Sequence, residues 1–315
     1  MQHIHTRSYT VQNMLSFMFV FILMSGLTSC QQPSSITPEG RLKVITTTSL
    51  VGDVVSNVGG EKISVDVLLP LGTDPHSFSP TPKDAAELAD AKLVFANGAG
   101  LEEFLKPLMD NIGGSSKVVE VSEGINFRTM TDEDSNSNKQ VIDPHTWMDP
   151  NNVIIWVDNI VRALSEQDPD NAVYYQENGQ AYQAKLRDLD TWIRTAVSEV
   201  PQEDRKLVTD HTVFGYFLDE YGFSQVGAII PGFSSLAEPS AKDIMMIQDA
   251  IQTMGVKAIF INVGANENLA QRISEDTGIQ LVPLYMHSLS DPGGDASNYL
   301  DFMRYDVTSV ADALK

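Results

Sequence analysis

Cysteine is almost missing from this chain: its 315 residues include one, Cys30. One thiol cannot close an intramolecular disulfide, so a disulfide-stapled fold is excluded even for an exported protein. Basic residues are scarce as well, 21 Lys and Arg against 42 Asp and Glu, for a formal net charge of −21. Nucleic-acid partners need basic patches, so none is expected here; an acidic surface instead concentrates cations. There is no HExxH pair and no Cys cluster, which removes the local signatures of zinc proteases and zinc fingers. Histidine is sparse too: of six, His3 and His5 lie at the extreme N-terminus, and only His76, His145, His211 and His287 follow.

The one long apolar run is N-terminal, Met14 to Met24 after Arg7, short for a membrane span and suited to a secretory h-region. It ends in Leu27-Thr28-Ser29-Cys30, which resembles the bacterial lipoprotein signal. Residues 1–29 are therefore expected to be cleaved, leaving a lipid-modified Cys30 as membrane anchor. The Pro/Ser-rich stretch over 30–41 reads as a flexible tether. What remains, about 270 residues, is large for one core and natural for two lobes.

Strand-like and helix-like segments alternate, which predicts an α/β fold with parallel sheets. Strands are expected at Leu42–Thr47, Ile63–Leu69 and Leu93–Ala96 in the first half. Lys206–Thr209, Gln225–Ile230, Ala258–Asn262 and Leu281–Tyr285 are their expected counterparts in the second. Helices are expected up to Val58, over Lys83–Lys92, Phe214–Tyr221 and Ala241–Met254. Pro82-Lys83-Asp84 and Pro239-Ser240-Ala241-Lys242-Asp243 open corresponding helices, an echo consistent with internal duplication. Between the halves, Asp170–Glu199 has no proline and spaces its apolar residues helically, with Pro169 and Pro201 as bounds. Gly179 weakens that helix by about 1 kcal/mol relative to alanine. The expected layout is thus a lobe over 42–169, a linking helix over 170–200 and a second lobe over 201–315. Thr131 to Lys139 reads as a solvated acidic loop.

The four later histidines are 69, 66 and 76 residues apart, so only tertiary structure could unite them. Each occupies a short polar segment near an expected strand end, where α/β proteins bind ligands. Two sit behind Asp-Pro, in Asp74-Pro75-His76 and Asp143-Pro144-His145, on backbone that proline stiffens. Neutral imidazole suits zinc and several other divalent transition metals. Convergence of the four would make a capture site. Asp74, Asp143, Asp149 and Asp291 are candidates to orient the rings or offset the ion's charge, although each could equally be a turn or cap residue.

Asp74-Pro75-His76, Asp143-Pro144-His145-Thr146-Trp147-Met148-Asp149-Pro150, His211 with Phe214-Gly215-Tyr216, and the tail from Tyr299 to Asp306 make the chain similar to a known family. It resembles the metal-specific solute receptors of bacterial ABC importers, the zinc- and manganese-binding lipoproteins. The resemblance implies two α/β lobes joined by one long helix, with metal in the inter-lobe cleft. It implies His76, His145 and His211 as ligands, and an ABC permease as membrane partner of a monomeric, non-enzymatic receptor. At the fourth position family members usually offer a carboxylate. Here His287 falls at that place and Asp291 four residues later, so His287 is favoured and Asp291 stays open. An imidazole-rich donor set favours Zn²⁺, with Mn²⁺ or Fe²⁺ as the alternatives. Affinity is expected to fall as pH drops through the imidazole range. Two other classes compete: a metallohydrolase, which would need an open coordination position and a base, and a surface adhesin.

Overall fold

The computed structural model describes residues 40–113, 116–131, 140–230, 232–236, 238–264 and 267–315. The expected signal, the lipidation cysteine, nearly all of the tether and most of the acidic loop lie outside the described residues. No helix among the described residues is long and apolar enough to cross a membrane.

The first half builds one sheet from β1 (Leu42–Thr46), β2 (Ile63–Val67), β3 (Leu93–Ala96) and β4 (Lys117–Glu120), all parallel, in the order β2-β1-β3-β4. The second builds another from β7 (Lys206–Thr209), β8 (Ser224–Ala228), β9 (Ala258–Asn262) and β10 (Gln280–Leu284). Its order is β10-β9-β7-β8, again all parallel. Numbered from its own first strand, each sheet runs 2-1-3-4. The duplication hinted at by the two Pro-to-Asp echoes is therefore present in the topology.

The echoes have a physical cause. Helix α1 (Ser49–Gly59) follows β1, and α2 (Pro82–Asp90) is opened by a capping box in which Thr81 accepts from the Asp84 amide and Asp84 accepts from that of Thr81. Helix α7 (Ala241–Met254) repeats this with Ser240 and Asp243. Each box satisfies two N-terminal amides that a helix otherwise leaves without partners. The first half also holds α3 (Leu105–Ile112), a small antiparallel pair β5 (Thr129–Thr131) and β6 (Gln140–Ile142), and α4 (Pro150–Gln167). The second adds α6 (Gly215–Tyr221), α8 (Asn268–Thr277) and α9 (Tyr299–Leu314).

Between the halves stands α5 (Ala172–Ser198), 27 residues and so about 40 Å long. It is unbroken at Gly179. A β-carbon there would sit 2.6 Å from Val161 and 3.3 Å from Val157, both on α4. The glycine lets the two helices approach, and that packing outweighs its weak helix propensity. Along α5 the buried Tyr175, Tyr182, Leu186, Leu189 and Ile193 enter a hydrophobic core that also takes Val44 and Phe95 from the first sheet and Phe260 and Leu284 from the second. The outer face of each sheet has its own smaller core. Polar ties reinforce the shared one: Asp53 on α1 accepts from the Tyr182 hydroxyl (3.3 Å) and from the Tyr299 amide at the start of α9 (3.0 Å).

Candidate metal centre

All four histidines stand on loops that leave the C-terminal ends of strands. His76 lies on the segment between β2 and α2, His145 between β6 and α4, His211 just after β7 and His287 just after β10. The fold brings the four together. One ring nitrogen from each lies within 4.8 Å of the other three, with His145, His211 and His287 buried and His76 half-buried. The Nε2 atoms of His76 and His145 are 3.2 Å apart, and those of His287 and His211 3.0 Å apart. A tetrahedron with metal–nitrogen bonds of about 2.0–2.1 Å has edges of about 3.3 Å. Two edges of the cluster thus match a four-coordinate ion already.

Local chain geometry fixes the rings. Asp143 Oδ1 accepts from both the backbone N–H (3.1 Å) and the Nδ1–H (2.8 Å) of His145. Its Oδ2 meets Arg128 Nη1 at 3.2 Å, and Arg128 Nε reaches Asp219 on α6 at 2.7 Å. On the other side Asp210 Oδ1 accepts from the backbone and Nδ1 of His211, both at 2.7 Å, while its Oδ2 accepts from the Asn262 amide at 3.0 Å. Asp74 accepts from the His76 amide (2.9 Å) and from the Ser235 hydroxyl, which belongs to the opposite half. Asp143 and Asp210 therefore set the orientation of the His145 and His211 rings from behind, while Asp74 fixes the backbone that carries His76.

Burial dominates the protonation of the cluster. It lowers His76 to about 4, with Asp74 opposing, and holds His145 and His287 well below the ordinary imidazole value. These three rings are neutral at neutral pH, the form that binds metal. Burial also pushes the Asp143 carboxyl up to about 7, against the His145 amide and the Arg128 guanidinium, which favour the carboxylate. A divalent cation at the neighbouring ring adds to that side.

The other carboxylates separate by role. Asp149 is the N-cap of α4, accepting from the Asn151 amide at 2.8 Å. Asp291 is not in the cluster; its carbonyl accepts from the Gly294 amide in a turn. Asp210 was not singled out in the sequence, although its adjacency to His211 was visible. Arg128 and Ser235 carried no sequence signal, because each acts from a segment remote in the chain.

Residues 44–313 match the model of the family described as zinc-uptake complex component A, periplasmic (ZnuA). The chain belongs to that family. It is 32% identical over 298 residues to the manganese-binding lipoprotein MntA of Halalkalibacterium halodurans, covering 94% of this chain and 96% of that one. Among solved structures, the periplasmic zinc-binding protein TroA of Treponema pallidum superposes with a TM-score of 0.79 at 27% identity, over 87% of this chain and 99% of that one. A manganese-bound periplasmic metal-binding protein of Candidatus Liberibacter asiaticus gives 0.76 at 28%, with the same coverage. The family relatives are substrate-binding proteins of metal importers and not enzymes, which sets aside the hydrolase. The two-lobed α/β architecture with a linking helix is that of the solved relatives.

Proposed function

We propose that this protein captures a divalent transition metal, zinc first, outside the cytoplasm and delivers it to the membrane permease of an ABC importer. His76 and His145 from one lobe and His211 and His287 from the other are its ligands, and lipid on Cys30 keeps the monomeric receptor at the membrane. The observation that carries the reading is the donor set: among the described residues, four imidazole nitrogens gathered in one largely buried cluster that contains no carboxylate. Zinc accepts four nitrogen donors in a tetrahedron, whereas manganese prefers oxygen. The carboxylates behind His145 and His211 compensate charge without becoming donors.

A second reading, a manganese receptor, draws on the manganese-binding relative and the manganese-bound neighbour. Elemental analysis of the purified full-length protein, followed by competition between Zn²⁺ and Mn²⁺ in isothermal titration, separates the two. Zinc is expected to displace manganese at equal concentration; the reverse would overturn the zinc assignment. H287A is expected to weaken binding and D291A to leave it unchanged, and the opposite pattern would move the fourth ligand to Asp291.

A further inference from the structure

Two asparagines occupy equivalent places in the two halves. The sequence runs Phe95-Ala96-Asn97-Gly98 at the end of β3 and Phe260-Ile261-Asn262-Val263-Gly264 at the end of β9. Backbone pairing sets the correspondence. The Phe95 carbonyl accepts from the amide of Thr47, the first residue past β1, at 2.9 Å. The Phe260 carbonyl accepts from the amide of Asp210, the first residue past β7, at 3.0 Å. Asn97 and Asn262 each follow two residues after that phenylalanine. Each also has its own amide N–H held by a carboxylate, Glu102 Oε1 at 2.8 Å for Asn97 and Asp210 Oδ2 at 3.0 Å for Asn262.

Both side chains then reach the chain beside a histidine. Asn97 Nδ2 donates to the Pro144 carbonyl at 3.0 Å and its Oδ1 accepts from the Thr146 hydroxyl at 3.4 Å, so it grips both neighbours of His145. Asn262 Oδ1 accepts from the amide of Met286, the residue before His287, at 3.0 Å. Opposite ends of the carboxamide are used because the partners differ: Pro144 has no N–H and offers only its carbonyl. His145 and His287 thus reach the cluster on different loops and are fixed by the same device. We propose that Asn97 and Asn262 are a duplicated pair of positioning residues, each setting the backbone that carries one ligand of its own half; this rests on His145 and His287 being ligands. A ring carried by backbone already in place loses little freedom when the ion arrives, which favours binding.

The zinc affinity of the purified full-length protein, read by competition with a chromophoric chelator, tests this in a double-mutant cycle. N97A and N262A are each expected to weaken binding about 10-fold. The loss from N97A should vanish in H145A and persist in H287A, and the loss from N262A should do the reverse. A merely structural loss would follow neither ring. Aspartate separates the two clamps further. N262D keeps an acceptor for Met286 and is expected to bind like the unsubstituted protein, whereas N97D offers the Pro144 carbonyl no donor and should bind as weakly as N97A. Each adds one negative charge, so a loss confined to N97D reports the missing donor. Asn262 is half-buried, so its variants carry the cycle even where a change at the buried Asn97 prevents folding. Full affinity in N262A, or equal losses in every background, overturns the clamp while metal capture stands. If the unsubstituted protein takes up no zinc, the capture reading itself fails.

Discussion

Trp147 donates its indole N–H to the carbonyl of Met286, 2.9 Å away. The bond spans the two halves, from the residue two after His145 to the residue before His287. Tyr299 completes the stitch by donating its hydroxyl to the Trp147 carbonyl at 2.7 Å. W147F keeps a ring in the core but leaves the Met286 carbonyl without its donor. The expected cost is about 1–3 kcal/mol in denaturant unfolding of the metal-free protein, together with faster metal loss in a chelator chase.

The carboxylates behind the rings should matter nearly as much as the rings. D143N and D210N remove charge while preserving shape, and each is expected to weaken zinc binding by about 10- to 100-fold, read by competition with a chromophoric chelator. Full affinity in both variants would mean that the rings need no such support.

Gly215 has a packing reason that its sequence motif did not disclose. A β-carbon there would overlap Arg128 Nη1 and Asp143 Oδ2, splitting the pair that backs His145. G215A is expected to lower stability by about 1–3 kcal/mol and to weaken metal binding in the same direction as D143N. G179A is the control: it should destabilise through the contact with Val161 while leaving metal affinity unchanged.

The acid sensitivity of binding moves downward. Protons compete with metal only once the rings protonate, and burial places His76 at about 4 and His145 and His287 well below the ordinary value. His76, His145 and His287 therefore stay in the metal-binding form as pH falls through the usual imidazole range near 6.5, and the loss of zinc affinity that protonation of His76 causes is expected toward about 4, measured by competition titrations across that interval. For metal-free stability the sign is the same: rings kept neutral in the fold contribute fully above the unfolded value, and the contribution is lost as pH falls through the folded one. Asp149, raised to about 6 by burial, acts oppositely. Its contribution is complete below the unfolded carboxyl value and disappears as pH rises through about 6.

Much of this was legible in the chain. Apolar runs marked the strands of both sheets except β4, and proline bounds marked the linking helix, because period and punctuation are local properties. Four isolated histidines beside strand ends pointed to the cluster. Helix α4 was not expected, although Asp149, for which a cap was one reading, is followed by a first-turn proline. Asp210 was passed over because orienting a neighbouring ring leaves no spacing signature. Arg128 and Ser235 depend on contacts between distant segments, which no periodicity encodes.

Because α5 threads one hydrophobic interior through both sheets, neither half owns a complete set of apolar contacts. Heating should melt them at one temperature, in a single cooperative step. An ion held by loops at the far rim would then raise the melting point of every part of the molecule, including surfaces that never come near it.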